Sequence, residues 1–371
     1  MLEVHGKPFL EYLITMLRSQ GFERVVLLLG YLPEVVQDYF GDGHRWGVQI
    51  AYSVTPVEDQ TGRRIKRAEH LLDDSFLLLY CDNYWPMQMD KMWQRFLDAN
   101  VPAMLTVYKN KDDYTKDTLR VDSQGFITVY DKSRRAQDLK GVEISYGIFK
   151  KELLALLPDE NISFEETLYP VLAQKRKLAA YVTEHRYYSV GSLQRLALTD
   201  AFLARRPAII LDRDGVLNRK PARANYVCRW EEFEWLPGAK EALKLLQTAG
   251  IRVLVVSNQA GVARGAMTEA DLLDIHRRMV REATLAGGNI EVIYYCPHNW
   301  DDGCDCRKPK PGMLFQAQRD FSLDLSRTLF IGDDERDAQA ADSAGCPSLL
   351  VSDQKTLLDI VRELVNKRNK I

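Results

Sequence analysis

The run AIILDRDGVLN, residues 208–218, limits the possible folds more than any other stretch of the chain. An apolar segment with the signature of a buried strand stops abruptly at Asp212-Arg213-Asp214, and Gly215 supplies the tight turn that must follow. Two later apolar runs end the same way, RVLVV in SNQAG (257–261) and TLFI in GDDERD (332–337). Segments of helical period lie between such runs. Strands are expected near 207–211, 251–256, 290–295, 328–331 and 347–350, and helices near 238–248, 269–286, 311–320, 335–344 and 355–367. This alternation predicts a doubly wound parallel sheet, whose ligand sites lie beyond the carboxyl ends of the strands.

The first half is also α/β, with an antiparallel insertion. Its strands are expected near 24–29, 48–52, 75–81, 102–107, 117–121, 126–130, 142–149 and 178–183. Its helices fit near 8–19, 33–39, 88–98, 164–175 and 192–204. Arg205-Arg206-Pro207 breaks the pattern, because a residue before proline resists the helical conformation. Two domains, 1–204 and 205–371, agree with a length of 371 residues at about 150 residues per domain.

Composition narrows the class. The 50 Lys+Arg nearly balance the 52 Asp+Glu, which argues against a broad basic face for nucleic acid or anionic membrane. The longest apolar runs, such as LLLYC at 77–81, fall far short of a membrane span. The N-terminal MLEVHGKPFLEYL lacks the pattern of a signal peptide. A cytoplasmic location and a small-molecule substrate are the resulting expectations; the oligomeric state cannot be read from these features.

Two carboxylates at a strand end, Asp212 and Asp214, suit phosphoryl chemistry: one attacks phosphorus while the other moves the leaving-group proton. Ser257, with Asn258, Gln259 and the backbone donors of their loop, can hold phosphate oxygens. Asp333 lies at an equivalent strand end, and hard oxygen ligands at neighbouring strand ends suit Mg²⁺. Lys308 in CRKPKPG (306–312) stands just before a helix, where a cation can meet a phosphate.

Three of the six cysteines fall within eleven residues of one another, beside His298. In CPHNWDDGCDC, residues 296–306, the set Cys296, His298, Cys304 and Cys306 offers four N/S ligands with no open position, as in structural Zn²⁺ sites. The loop runs straight into Arg307 and Lys308, so a metal there would aim both cations.

These four strand-end motifs together resemble the haloacid dehalogenase superfamily of aspartate-nucleophile phosphatases. The resemblance implies that Asp212 carries a phosphoaspartate and that Asp214 protonates the leaving alkoxide and then activates water. It also implies that Ser257 and Lys308 hold the phosphoryl group, and that Asp212, Asp333 and the backbone carbonyl of Asp214 bind Mg²⁺. Asp337 is expected to orient Lys308 or a metal-bound water. The combination DRDGVLN, SNQAGVARG, CPH…CDCRKPKPGM and GDDERD is similar to the D,D-heptose 1,7-bisphosphate phosphatases, with the histidinol-phosphate phosphatases close by. Members lack a large cap domain, and the spacings between Asp214, Ser257 and Lys308 leave no room for one. Arg213, Asn258, Gln259, Arg264 and Arg307 near the catalytic ends favour a sugar bisphosphate over an amino-alcohol phosphate by charge complementarity. Arg307 is the leading candidate for reading the substrate.

The first half resembles the sugar-1-phosphate nucleotidyltransferases, including heptose-1-phosphate guanylyltransferase. MLEVHGKPFLEYLI matches the segment after their glycine-rich loop, Asp82 of YCDN their metal aspartate, Lys132 of VYDKS their sugar-phosphate lysine, and SYGI (145–148) the next strand. Three departures stand out. The glycine-rich loop and its strand are not in this sequence, DQTGRR (59–64) only dimly echoes a second glycine segment, and Ser189 stands where a second metal aspartate is expected. A missing central strand would leave neighbouring strand edges unpaired. The expectation is a phosphatase for heptose 1,7-bisphosphate in nucleotide-activated heptose synthesis for surface polysaccharide such as lipopolysaccharide. The alternatives are a histidinol-phosphate phosphatase, a bifunctional phosphatase and guanylyltransferase, and a non-enzymatic scaffold.

Overall fold

The computed structural model describes residues 1–222 and 225–368, the last by its backbone alone. The chain divides into two compact units, Met1–Leu203 and Ala204–Ile371. No helix among the described residues is long and apolar enough to cross a membrane.

In the first unit, helix α1 (Phe9–Ser19) leads to strand β1 (Arg24–Leu29), α2 (Pro33–Phe40), β2 (Gln49–Val54), α3 (Thr61–Arg67) and β3 (Ser75–Leu79). Next come α4 (Met89–Ala99), β4 (Ala103–Tyr108), β5 (Val142–Lys150), α5 (Phe164–Gln174), β6 (Leu178–Thr183) and α6 (Leu193–Leu203). The expected antiparallel insertion is the ladder Leu119–Val121 against Ile127–Tyr130. The major strands do not form one sheet. β1 and β2 pair in parallel by themselves, and a separate four-stranded sheet has the order β6-β4-β5-β3. β4, flanked on both sides, is buried along its whole length, whereas the equally apolar residues 25–29 of β1 and 75–79 of β3 are half-buried. α3 is an element that the sequence pattern does not reveal. Gly62 hides it, and a Cβ there would stand 2.8 Å from the Ile162 carbonyl oxygen, so close packing, not turn formation, requires this glycine.

The second unit alternates regularly. Its order is β7 (Ala208–Leu211), α7 (Ala239–Thr248), β8 (Arg252–Asn258), α8 (Glu269–Leu285), β9 (Val292–Cys296), α9 (Gly312–Phe321), β10 (Leu329–Gly332), α10 (Glu335–Ala344), β11 (Ser348–Leu350) and α11 (Leu357–Arg368). The five strands form one all-parallel sheet in the order β9-β8-β7-β10-β11. Both faces are covered, because Ile209 and Leu211 of β7 join one apolar cluster and Ile210 another. Capping boxes start two of the helices, Thr268 with Asp271 for α8 and Asp334 with Asp337 for α10. The carboxyl ends of β7, β8 and β10 are thereby neighbours, which brings three of the acidic and polar motifs to one edge of the sheet.

Candidate active site

β7 hands its direction to Asp212, whose backbone N–H still donates to the Ile331 carbonyl of β10 at 2.9 Å. The carboxylate meets Lys308, with Oδ1 2.7 Å from Nζ. The same Nζ lies 2.7 Å from Asp337 Oδ1 and 3.3 Å from the Val256 carbonyl oxygen. Lys308 is 4% exposed, so this three-residue knot is dry. Burial raises the Asp212 carboxyl above its ordinary range, against the pull of Lys308 and with the push of Asp337. Burial alone would lower the Lys308 ammonium, but the two carboxylates outweigh it and hold the lysine charged.

Asp337 also accepts the backbone N–H groups of Asp333 and Asp334 on its Oδ2, at 3.1 and 3.2 Å. Asp337 therefore fixes both the lysine and the turn that carries Asp333. Burial raises the Asp333 carboxyl, opposed by Lys220, whose Nζ is 2.7 Å from Oδ2. Among the described residues, buried Asp333 Oδ1 has no hydrogen-bond partner. Carboxylate oxygens of Asp212, Asp333 and Asp337 lie within 4.8 Å of one another. An orphaned carboxylate oxygen beside two more hard oxygens is a donor set that fits Mg²⁺. Gly215 makes this approach possible, since with φ +96° a Cβ there would sit 2.2 Å from Asp333 Oδ2.

Asp214 is held differently. Arg213 Nη2 donates to both of its oxygens at 2.9 Å, Asn218 Nδ2 donates to Oδ1 at 2.9 Å, and Gln259 Nε2 donates to Oδ2 at 2.8 Å. Burial would raise this carboxyl, but Arg213 and the two amides hold it below the usual carboxylate range. Gln259 also donates to Ser257 Oγ at 2.7 Å, which ties the end of β8 to Asp214.

Several residues expected to face a substrate do other work here. Arg213 points inward, fully buried, with Nη1 3.2 Å from His276 Nε2. That corrects its expected role: the chain leaves strand geometry after Leu211, and a buried guanidinium needs the Asp214 carboxylate beside it. Asn258 spends its amide on the Lys308 backbone, accepting from its N–H and donating to its carbonyl, both at 3.0 Å. Arg264 is exposed, bonded to the Tyr226 hydroxyl at 3.1 Å and stacked 4.8 Å from the centre of the Trp300 ring. Arg307 is half-buried, and among the described residues its buried Nη1 has no partner. Sequence reasoning misses Asn218, Lys220 and His276. Asn218 follows Asp214 at a four-residue spacing that hints at its role, while Lys220 and His276 give no sequence signal.

The cysteine loop gathers as its spacing predicts. Cys296 Sγ lies 3.6 Å from Cys304 Sγ and 3.6 Å from His298 Nδ1, and that Nδ1 lies 3.2 Å from Cys306 Sγ. All four ligand atoms lie within 4.8 Å of one another, and the cysteines are free thiols. Bond lengths of about 2.3 Å to sulfur and about 2.0 Å to nitrogen give tetrahedron edges of about 3.8 and 3.5 Å, so the residues fit Zn²⁺. Lys310 Nζ ties the loop from outside through the Gly303 and Cys304 carbonyls, at 2.9 and 2.7 Å.

Comparison with known proteins gives a family match in each half of the chain. Residues 305–369 match the HAD-hydrolase-like family, and residues 1–119 match the nucleotidyl transferase family. A D-glycero-beta-D-manno-heptose-1,7-bisphosphate 7-phosphatase of Pseudomonas aeruginosa is 43% identical over 150 residues, 40% of this chain and 83% of the relative. The chain belongs to this heptose-bisphosphate phosphatase family. A D-glycero-alpha-D-manno-heptose-1,7-bisphosphate 7-phosphatase of Campylobacter jejuni is 38% identical over 160 residues, 43% of this chain and 90% of the relative. A crystal structure of D,D-heptose 1,7-bisphosphate phosphatase from B. bronchiseptica, complexed with magnesium and phosphate, is 35% identical and covers 43% of this chain and 99% of its own, with a TM-score of 0.41. The protein is a two-domain α/β enzyme with a HAD-like phosphatase fold following a nucleotidyltransferase-like one.

Within the nucleotidyltransferase-like unit, Ser189 pairs with Asn83 across a short antiparallel bridge, beside Asp82. Burial raises the Asp82 carboxyl. Lys132 Nζ is 2.8 Å from Glu165 Oε2. The clusters of three or more potential metal ligands found among the described residues both lie in the second unit.

Proposed function

We propose that the second unit hydrolyses the C7 phosphate of D-glycero-D-manno-heptose 1,7-bisphosphate in the cytoplasm, through a phosphoaspartate on Asp212. The supporting observation is the Asp212–Lys308–Asp337 knot, set beside an orphaned Asp333 oxygen in a chain of this family. Asp212 attacks phosphorus, forming the acyl phosphate as the bond to the sugar oxygen breaks. Approach of the anionic substrate raises the Asp214 carboxyl, which takes up a proton and gives it to the leaving alkoxide. The carboxylate so formed accepts a proton from the water that attacks the acyl phosphate, which restores Asp212 and releases phosphate. Lys308 holds a phosphoryl oxygen, and Ser257 donates its hydroxyl proton to another, since its oxygen already accepts from Gln259. Asn258 and Asp337 position Lys308.

Asp212, Asp333 and the Asp214 backbone carbonyl would hold Mg²⁺, which when bound supplies positive charge beside the phosphoryl oxygens. Cys296, His298, Cys304 and Cys306 would hold a structural Zn²⁺ that fixes the loop carrying Arg307 and Lys308. Cys304→Ser is expected to abolish stoichiometric zinc by elemental analysis and to lower kcat/KM at least tenfold, with Mg²⁺ affinity unchanged. Full turnover in the zinc-free variant would show that the loop needs no metal.

Arg307, with a guanidinium nitrogen left unpartnered among the described residues, and exposed Arg264 suit the second phosphate of a bisphosphate. The heptose bisphosphate is expected to exceed histidinol phosphate in kcat/KM by roughly a hundredfold or more, because leaving the buried Arg307 nitrogen unpaired with the wrong substrate is costly. Equal values, measured side by side, would reject the sugar assignment. For the bifunctional alternative, Ser189 beside Asp82 leaves one carboxylate where two are expected, and pyrophosphate release from GTP with heptose 1-phosphate decides it.

A further inference from the structure

The inward face of α8 carries a polar side chain among apolar ones. Leu272, Ile275, Met279 and Ala283 are buried there, and His276 stands with them at 5% exposure. Its Nε2 lies 3.2 Å from Nη1 of the fully buried Arg213. The ring also packs against Tyr295 of β9, with ring centres 5.6 Å apart. Tyr295 donates its hydroxyl to Glu269, the first residue of α8, at 2.7 Å, and pairs in register with Ser257. The imidazole is therefore presented from a helix tied to the sheet.

A guanidinium donates from every nitrogen and stays charged. The nitrogen facing it must offer a lone pair, so His276 is a neutral imidazole with its proton on Nδ1. Burial, and then the Arg213 charge, push its pKa down to about 3, which agrees. A neutral acceptor leaves the whole positive charge of Arg213 to face Asp214.

Arg213 needs such an anchor. Its carbonyl closes the turn after β7, accepting the Leu217 and Asn218 N–H groups at 2.9 and 3.1 Å. Its side chain then doubles back onto the next residue of the chain. Nε lies 3.2 Å from Asp214 Oδ1, and Nη2 lies 2.9 Å from each Asp214 oxygen. Those bonds use two corners of the guanidinium plane. Held by these alone, the plane can pivot and carry the carboxylate with it. His276 takes the third corner, and a rigid plane gripped at all three is fixed.

We infer that His276 is a positioning residue for phosphoryl transfer: it holds Arg213 from the far side and so keeps the Asp214 carboxyl aimed at the leaving oxygen. The inference rests on the reading of Asp214 as the acid that protonates the sugar alkoxide. A misplacement of about 1 Å in such a group can cost roughly a hundredfold in rate.

The test compares two substrates on one enzyme. Heptose 1,7-bisphosphate releases an alkoxide that needs a proton, whereas p-nitrophenyl phosphate releases a phenolate that leaves without one. The ratio of the two kcat/KM values, heptose bisphosphate over nitrophenyl phosphate, does not depend on how much of a preparation is active. His276→Leu removes the acceptor and is expected to lower this ratio about tenfold or more. His276→Asn, whose amide stops short of Arg213, should do the same, and it carries the comparison if the leucine variant does not fold. His276→Gln, whose amide oxygen can accept from Nη1, should keep the native ratio to within about twofold. Asp214→Asn is the reference and should show the largest fall. A native ratio in the leucine or the asparagine variant, or a fall in the glutamine variant equal to theirs, overturns the inference and leaves His276 serving the fold alone. A native ratio in Asp214→Asn would instead remove Asp214 as the acid, and the inference with it.

Discussion

Asp212→Asn is expected to lower kcat by at least about four orders of magnitude while leaving the second unit as stable as before, or more so. An amide cannot displace an alkoxide from phosphorus, so the loss falls on the chemical step. Stability should not suffer, because the native carboxylate is buried, strained upward by desolvation and repelled by Asp337. The neutral amide removes that repulsion, and Lys308 keeps Asp337 as its ion-pair partner. Phosphate release and acid-quenched capture of labelled phosphoenzyme read the first effect, and thermal unfolding reads the second. Turnover that survives the substitution would remove Asp212 from the reaction and with it the proposed mechanism.

Lys308→Met should damage both activity and fold. The lysine is the buried cation between Asp212 and Asp337, at 2.7 Å from each. Without it, two buried carboxylates face one another uncompensated, a change that typically costs about 3–5 kcal/mol. For a unit of this size that corresponds to a fall in Tm of roughly 10 °C. Adding Asp337→Asn should restore part of the lost stability, because one of the stranded charges disappears and the amide oxygen can still accept the Asp333 and Asp334 N–H groups. Activity should stay lost in the double variant. Recovery of turnover together with stability would mean that Lys308 serves the fold alone.

The legible part of the site is its frame. Asp212, Ser257 and Asp333 can be placed because each ends an apolar run, and a parallel sheet brings such ends together. The cysteine loop is legible because ligand spacing alone determines its chemistry. The wiring between these residues is not. Arg213 reads in sequence as a charge available to a substrate near the catalytic ends, yet past the end of the strand it is fully buried between Asp214 and His276. Asn258 reads as a polar loop residue, and only the fold shows its amide clasping the Lys308 backbone. His276 occupies the inward face of α8, where a sequence pattern cannot separate a core histidine from a working one. In the first unit, the position of every major strand is legible. Their division into two sheets is foreshadowed by the strand that the family resemblance marks as missing, and the helix Thr61–Arg67 is obscured by Gly62.

The Asp214 carboxylate has about four lone-pair sites, and donors from Arg213, Asn218 and Gln259 fill them. A proton can therefore land there only if one donor lets go. Asn218 and Gln259 each keep a second anchor if they do so, the Arg219 carbonyl and the Ser257 hydroxyl oxygen. Under the proposed mechanism, each protonation of Asp214 releases an amide N–H from the carboxylate, and each proton transfer from it recaptures one.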